Sequence, residues 1–241
     1  MLTCCAHRLQ SINYPKLFMK LHTIIWDFDG TLLPNDPYDS EQSLMMHKLE
    51  RAGQNVPFLI NALARSLLYA DQKEHFRTLF KKFYIWFMKG TPVSDLDRVC
   101  GLLAGKISAE DRRTLLQLKT DGHRMLVLSC GTADLSERTL KMAGLGECFE
   151  AIVGNKFQIE NGKITGMTFE IPDPNDKVTF LRKRGISPDN AIAVGDGYTD
   201  IPVLDWARIS IMLDRTGKKK ALYSHKKYKF ISEISEIFTI V

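Results

Sequence analysis

The hexapeptide Asp27-Phe28-Asp29-Gly30-Thr31-Leu32, directly behind the apolar run Leu21 to Trp26, constrains this chain more than any other segment. The run is short and rich in Ile, which suits a buried strand. An apolar strand ending in two carboxylates delivers them to its C-terminal rim, where ligands bind in open α/β sheets. Successive side chains of an extended chain alternate, so Asp27 and Asp29 share a side and Phe28 lies opposite. Two clustered carboxylates repel unless a cation or a proton relieves them. Gly30 permits a tight turn and a close approach of backbone to ligand. The plainer reading is an Asp-rich turn whose side chains bond their own backbone.

Pro34, Asn35, Asp36 and Pro37 mark a loop behind this turn. From about 40 to 106 no strand pattern appears. Helices are expected near 41–52, as a pair over 57–88, and behind Pro92-Val93-Ser94, with Ser94 a candidate cap and Asp95 and Asp97 in the first turn. Beyond residue 107 the rhythm changes. Helices near 108–121, 133–143 and 175–184 end at Gly122, Gly144 and Gly185. Between them lie strands over 124–129, 151–153, 191–194 and 209–213, and Asn161-Gly162 predicts a type I′ hairpin joining 157–160 to 163–165. Alternating helices and short buried strands imply an α/β fold, a Rossmann-like parallel sheet covered on both faces. The expected organisation is an N-terminal extension (1–20), a core formed by 21–39 and 107–241, and an inserted all-helical cap (40–106).

Three further features bear on chemistry. Gly195-Asp196-Gly197-Tyr198-Thr199-Asp200 again follows an apolar strand, and Asp196 and Asp200 face alike if a helix starts there. Four carboxylates at two strand ends, with room for water, suit Mg²⁺, although Asp200 can equally flank a helix N-terminus. Ser129 ends a strand ahead of Gly131-Thr132, where free backbone N–H groups at a helix start would cradle a phosphate; Ser129 or Thr132 as a simple N-cap is the alternative. Lys177, behind Pro172, Pro174 and Asn175-Asp176, reads alone as a surface lysine.

The order of the four features, over roughly residues 21–214, resembles the haloacid dehalogenase-type phosphohydrolase superfamily, and within it the phosphoserine-phosphatase-like branch with a helical cap. The resemblance implies a Mg²⁺-dependent phosphatase acting on a small phosphorylated metabolite. Asp27 would be the nucleophile and form a phosphoaspartate, and Asp29 the acid and then the base. The cation would be held by Asp27, Asp196, the main-chain carbonyl of Asp29 and, nearby or through water, Asp200. Thr31, Ser129, Cys130, Gly131 and Lys177 would surround the phosphoryl group. That branch grips its amino acid with an acidic residue behind the first motif, for which Asp36 or Asp39 is available, and with a cap Arg, where this chain has Tyr84. The surrounding run Phe83 to Phe87 reads as packing or as the lining of a less polar site.

Composition narrows the alternatives. Lys and Arg number 33 against 28 Asp and Glu, a net charge of +5. The excess lies partly in Lys218-Lys219-Lys220 and His225-Lys226-Lys227, which read as solvated surface rather than a nucleic-acid site. No apolar run reaches the ~20 residues of a membrane helix. The cysteines Cys4, Cys5, Cys100, Cys130 and Cys148 match no zinc spacing and read as reduced thiols of a cytoplasmic protein, with the Cys130 side chain a small buried residue. Transfer of the phosphoryl group to an alcohol, as in a mutase or phosphotransferase, and a non-catalytic binding module of the same fold are the other functions the motifs allow.

Overall fold

The structure, a computed structural model, describes residues 21–53, 57–71 and 77–240. The expected extension over 1–20, with Cys4 and Cys5, lies outside the described residues. In chain order the elements are β1 (Thr23–Trp26), α1 (Ser40–Ala52), α2 (Phe58–Asp71), α3 (Arg77–Met88), α4 (Val93–Ala104), α5 (Ala109–Thr120), β2 (Arg124–Thr132), α6 (Ala133–Met142), β3 (Ala151–Glu160), β4 (Lys163–Thr168), α7 (Pro174–Lys183), β5 (Ala191–Gly195), α8 (Ile201–Trp206), β6 (Ile209–Leu213), α9 (Lys219–Leu222) and β7 (Lys229–Ile231). Among the described residues, β1 to α5 contains helices and no further strand. No helix there is long and apolar enough to cross a membrane.

The strands form one sheet in the order β4-β3-β2-β1-β5-β6-β7. Every neighbouring pair is parallel except β3 with β4. β1 therefore sits centrally, with β2 on one side and β5 on the other, and the chain winds outward both ways. A crevice opens where connections diverge beyond the strand ends. Alternation along the strands builds two cores. Ile24, Trp26, Met125, Val127, Ile192 and Val194 join a cluster with residues of α1, α3, α4, α5 and α6. Ile25, Leu126, Leu128, Ala191 and Ala193 face the other way, against Leu181 of α7 and Val203 and Leu204 of α8. Burial on both faces is why these strands read as continuous apolar runs.

Local chemistry sets the helix starts. Asp39 caps α1 by accepting the Gln42 N–H (2.7 Å), while the Gln42 side chain accepts the Asp39 N–H (3.3 Å). Ser108 caps α5, and Asp173 caps α7 with Pro174 behind it. Ser94 is not a cap: α4 starts one residue earlier, behind Pro92. Thr132 and Ser129 do not cap α6 either, because both hydroxyls are engaged elsewhere. The strand expected over 151–153 and the first hairpin strand are one strand, β3. β7 carries too few apolar residues to have been read from the sequence.

The Asn161-Gly162 turn is as expected, with both φ positive (51° and 70°) and Glu160 paired to Lys163. Its outer strand does not end as a bare edge. Gly90 N–H donates to Ile164 O (2.8 Å), Ile164 N–H to Thr91 O (2.9 Å) and Val93 N–H to Gly162 O (3.0 Å). These bonds tie the α3–α4 connection to β4. Gly162→Val should cost about 1–2 kcal/mol, the penalty of a side chain in the left-handed region. A lower urea midpoint at unchanged slope would register it.

Candidate active site

The site forms where β1 leaves the sheet. Trp26 is level with Val127 of β2 and Val194 of β5, and the Asp27 N–H donates to Val194 O at 2.9 Å. Asp27, Ser129 and Asp196 thus emerge side by side at one rim. The chain then turns through Gly30, whose φ is +83°. A Cβ on Gly30 would stand 2.3 Å from Asp196 Oδ2, so the two Asp motifs touch only because this residue has no side chain. Thr31, fully buried, directs its hydroxyl at Asp196 Oδ1 (3.5 Å).

Lys177 is no surface lysine. It is completely buried in the second turn of α7 and donates to Asp27 Oδ1 (2.8 Å) and Asp200 Oδ1 (2.6 Å). Asp200 in turn accepts the N–H groups of Asp196 (2.9 Å) and Gly197 (3.1 Å) on its other oxygen. Asp27, Asp196 and Asp200 each place a carboxylate oxygen within 4.8 Å of the others. Burial drives the Asp27 carboxyl up to about 7; Asp200 and Asp196 push the same way and Lys177 opposes. For Lys177 burial favours loss of the proton, but Asp200 and Asp27 outweigh it and hold the ammonium charged. A group of oxygen donors this close and this short of positive charge fits a hard divalent cation.

Asp29 stands apart from that cluster. Its carboxylate lies against the first residue of α1, accepting the Ser40 N–H (2.8 Å) and meeting Ser40 Oγ (2.9 Å). Burial and the Asp39 charge raise its pKa well above the ordinary range, against the pull of the Ser40 N–H. One motif therefore presents a carboxylate held by an ammonium and, beside it, a carboxyl whose affinity for a proton is raised by burial.

The β2 end closes the site. Ser129 Oγ accepts the Gly131 N–H (2.9 Å), so that N–H is not standing open. Gly131 itself lies against Asp29: a Cβ there would be 3.1 Å from Asp29 Oδ2. Cys130 is buried, and its carbonyl accepts from Asn155 Nδ2 (2.9 Å) and Lys81 Nζ (3.3 Å). Beside it a cavity of about 330 Å³ opens between α3 and the core, lined by Lys81, Lys82, Ile85, Phe169 and Tyr198 among others.

Residues that the motifs do not name complete the picture. Glu41, buried in the first turn of α1, accepts from Thr132 Oγ1 and pairs with Lys81 of α3. Neither acidic candidate behind the first motif does this: Asp36 is exposed and Asp39 caps α1. Tyr84 does not reach the cavity. It is fully buried, stacked on Phe80 at 5.8 Å and near Phe157 at 6.1 Å, so Tyr84 is packing, whereas Ile85 of the same run lines the cavity and Trp86 is exposed. Lys219, from a run expected to be solvated, pairs with Asp196 Oδ2 at 2.6 Å. No sequence signal points to Glu41 or Lys81 or to the turning of Lys219 into the site.

Residues 24–205 match the family model for haloacid dehalogenase-like hydrolases. A phosphoserine phosphatase of Archaeoglobus fulgidus is 33% identical over 193 residues, 78% of this chain and 51% of that protein. One of Methanocaldococcus jannaschii is 25% identical over 80% of this chain and 85% of its own. The chain thus spans about half of the first relative and most of the second. Among solved structures, a phospho-aspartyl intermediate analogue of phosphoserine phosphatase superposes with a TM-score of 0.67 at 19% identity, covering 92% of this chain and all of that one. A substrate-bound phosphoserine phosphatase gives 0.69 at 17%, covering 92% and 99%. With the matched segment carrying the first Asp motif, Ser129, Lys177 and the second Asp motif, the chain belongs to the haloacid dehalogenase-like hydrolase family, among the phosphatases it resembles.

Proposed function

We propose that the protein is a Mg²⁺-dependent phosphomonoesterase that works through a phosphoaspartate on Asp27 and acts on a small phosphorylated metabolite. The observation that carries this reading is the contrast between the two carboxyls of one turn. Asp27 is held by a buried ammonium, while Asp29 lies apart from the cluster against the Ser40 N–H, where burial raises its affinity for a proton. Asp27 Oδ attacks phosphorus as the ester P–O bond breaks, and Asp29 gives its proton to the departing oxygen. The deprotonated Asp29 then takes a proton from water, whose oxygen attacks the phosphoaspartate and releases orthophosphate. Lys177 orients Asp27 for the attack and favours its ionised form. Asp27, Asp196, the main-chain carbonyl of Asp29 and, nearby or through water, Asp200 would hold the cation, whose chemistry is to offset charge on the phosphoryl oxygens. Ser129 and the Cys130-Gly131 turn would stand beside that group once the Gly131 N–H gives up its bond to Ser129 Oγ.

The cavity beside Cys130 has the size of a metabolite site. Lys82 stands on its wall with the Glu41-paired Lys81 and with Asp173, a mixed lining that fits a leaving group carrying a carboxylate. Phosphoserine, the substrate of the named relatives, meets that requirement. So does phosphoglycolate, named for a relative from Aquifex aeolicus that is 28% identical. A panel of phosphorylated metabolites ranks them by kcat/KM.

With 4-nitrophenyl phosphate and Mg²⁺, Asp27→Asn should leave no turnover above buffer. Asp29→Asn should release about one equivalent of nitrophenolate per chain and then slow by roughly 10²–10⁴-fold, because a good leaving group needs little acid help while hydrolysis still needs the base. Equal activity of wild type and Asp27→Asn would sink the proposal.

Lys177→Met should cost ~3–5 kcal/mol, since it strands two buried carboxylates, and chemical denaturation measures it. The pH dependence has a definite sign. Without cation, Asp27 binds its proton up to about 7 rather than 3.8, so its contribution to stability is full below the lower value and is lost as pH rises through the upper one. Mg²⁺ must displace that proton, so the rise in thermal midpoint on adding Mg²⁺ should be small at about pH 5 and larger at about pH 8.

A further inference from the structure

Asp196 is the most accessible carboxylate of the cluster, and its Oδ2 is taken by the ammonium of Lys219 at 2.6 Å. Lys219 does not reach there by chance of a floppy side chain. Its loop, from Asp214 to Lys220, is wired at several points. The Asp214 N–H donates to Ile231 O (2.8 Å), and the buried Asp214 carboxylate accepts the Lys220 N–H (2.9 Å) and the Thr216 hydroxyl (3.4 Å). Arg215 donates to the Thr31 carbonyl (3.2 Å) and approaches Asp111 (3.5 Å). The loop is thereby fastened to the first Asp motif through Thr31 and to the second through Lys219. Its neighbours Lys218 and Lys220 are exposed, while Lys219 is half-buried. Of the three consecutive lysines, Lys219 alone is turned into the site.

We propose, resting on the reading of Asp27, Asp196 and Asp200 as the cation site, that Lys219 is a built-in counter-ion which a divalent cation must displace from Asp196. Lys219 is then a positioning residue. It relieves repulsion among the carboxylates in the cation-free protein, keeps Asp196 Oδ2 aimed at the rim, and holds down the affinity for the metal. Lys177 cannot serve this purpose, because it is completely buried between Asp27 Oδ1 and Asp200 Oδ1 and its charge is shared by both.

The test is calorimetric titration of the cation-free protein with MgCl₂ alone, joined to the thermal midpoint with and without Mg²⁺. Lys219→Met should bind Mg²⁺ about three- to tenfold more tightly than wild type, the scale of a partly exposed ion pair. Its cation-free midpoint should fall, and its Mg²⁺-dependent rise should grow. Lys219→Arg, which keeps the charge, should return towards the wild-type dissociation constant, and Lys218→Met should match wild type. Should Lys219→Met fold poorly, Lys219→Gln carries the same comparison. Unchanged or weaker Mg²⁺ binding in the neutral variants overturns the counter-ion role while leaving the cation site intact. A raised KM at unchanged metal affinity also overturns it and assigns Lys219 to the substrate. Wild type that binds no Mg²⁺, or Asp196→Asn that binds it as wild type does, overturns the cation site and this inference together.

Discussion

The active-site rim depends on one buried ammonium. Lys177 lies between Asp27 of β1 and Asp200 behind β5, and the three groups have almost no contact with water. A buried ion pair adds little net stability, because desolvation of the charges consumes most of the attraction. What the triad supplies is position. The ammonium fixes the nucleophile's orientation, and Asp200 uses its second oxygen to hold the N–H groups of Asp196 and Gly197. The two Asp motifs, 169 residues apart from Asp27 to Asp196 (196 − 27), are thus coupled through one side chain from a third element.

That coupling explains where the sheet puts things. β1 is the centre of the strand order, so its C-terminal end is flanked by β2 and β5. The next residues of all three strands converge without any long loop having to find its place. Ser129 comes from one neighbour and Asp196 from the other. α1 enters from the opposite side with its capped N-terminus against Asp29. The same turn that frees Asp27 to face the cluster hands Asp29 to a helix start, and the two carboxyls acquire different proton affinities from different surroundings.

The sequence made the scaffold legible wherever local chemistry was strong. Apolar runs gave β1, β2, β5 and β6; Asn161-Gly162 gave the hairpin; glycines marked where α5, α6 and α7 stop. The motif carboxylates were legible because a pair of Asp at alternate positions behind an apolar strand has few other uses. What could not be read were partnerships made across long separations. Lys177 is singled out in the sequence only by its place in the series of motifs, which does not reveal its Asp27 and Asp200 partners, and Lys219 looks like any exposed lysine until the fold separates it from Lys218 and Lys220. Glu41 sits in a first helical turn, where an acidic residue is ordinarily explained by the helix dipole. Its pairing with Lys81 needed α1 and α3 to be adjacent. Tyr84 shows the opposite case: a position matched to a ligand-gripping residue by counting along the helix turned out to be core.

The balance of charge at the rim carries a consequence for how such a site is kept folded before it is loaded. Three carboxylates within 4.8 Å face two ammonium groups, one sealed in the core and one at the edge. Full neutralisation by buried partners would make a stable site with no attraction for a cation; none at all would leave the carboxylates to protonate or the loops to open. Dividing the work resolves the conflict. On the proposed reading, a permanent buried lysine orients Asp27, and a half-buried lysine at the start of α9 stands where a cation would enter. Burial is the main cause of the raised Asp27 pKa, and the Asp200 and Asp196 charges add to it against Lys177. The cluster thus stays short of positive charge, and under the proposed reading that shortfall would draw a cation to the end of β1.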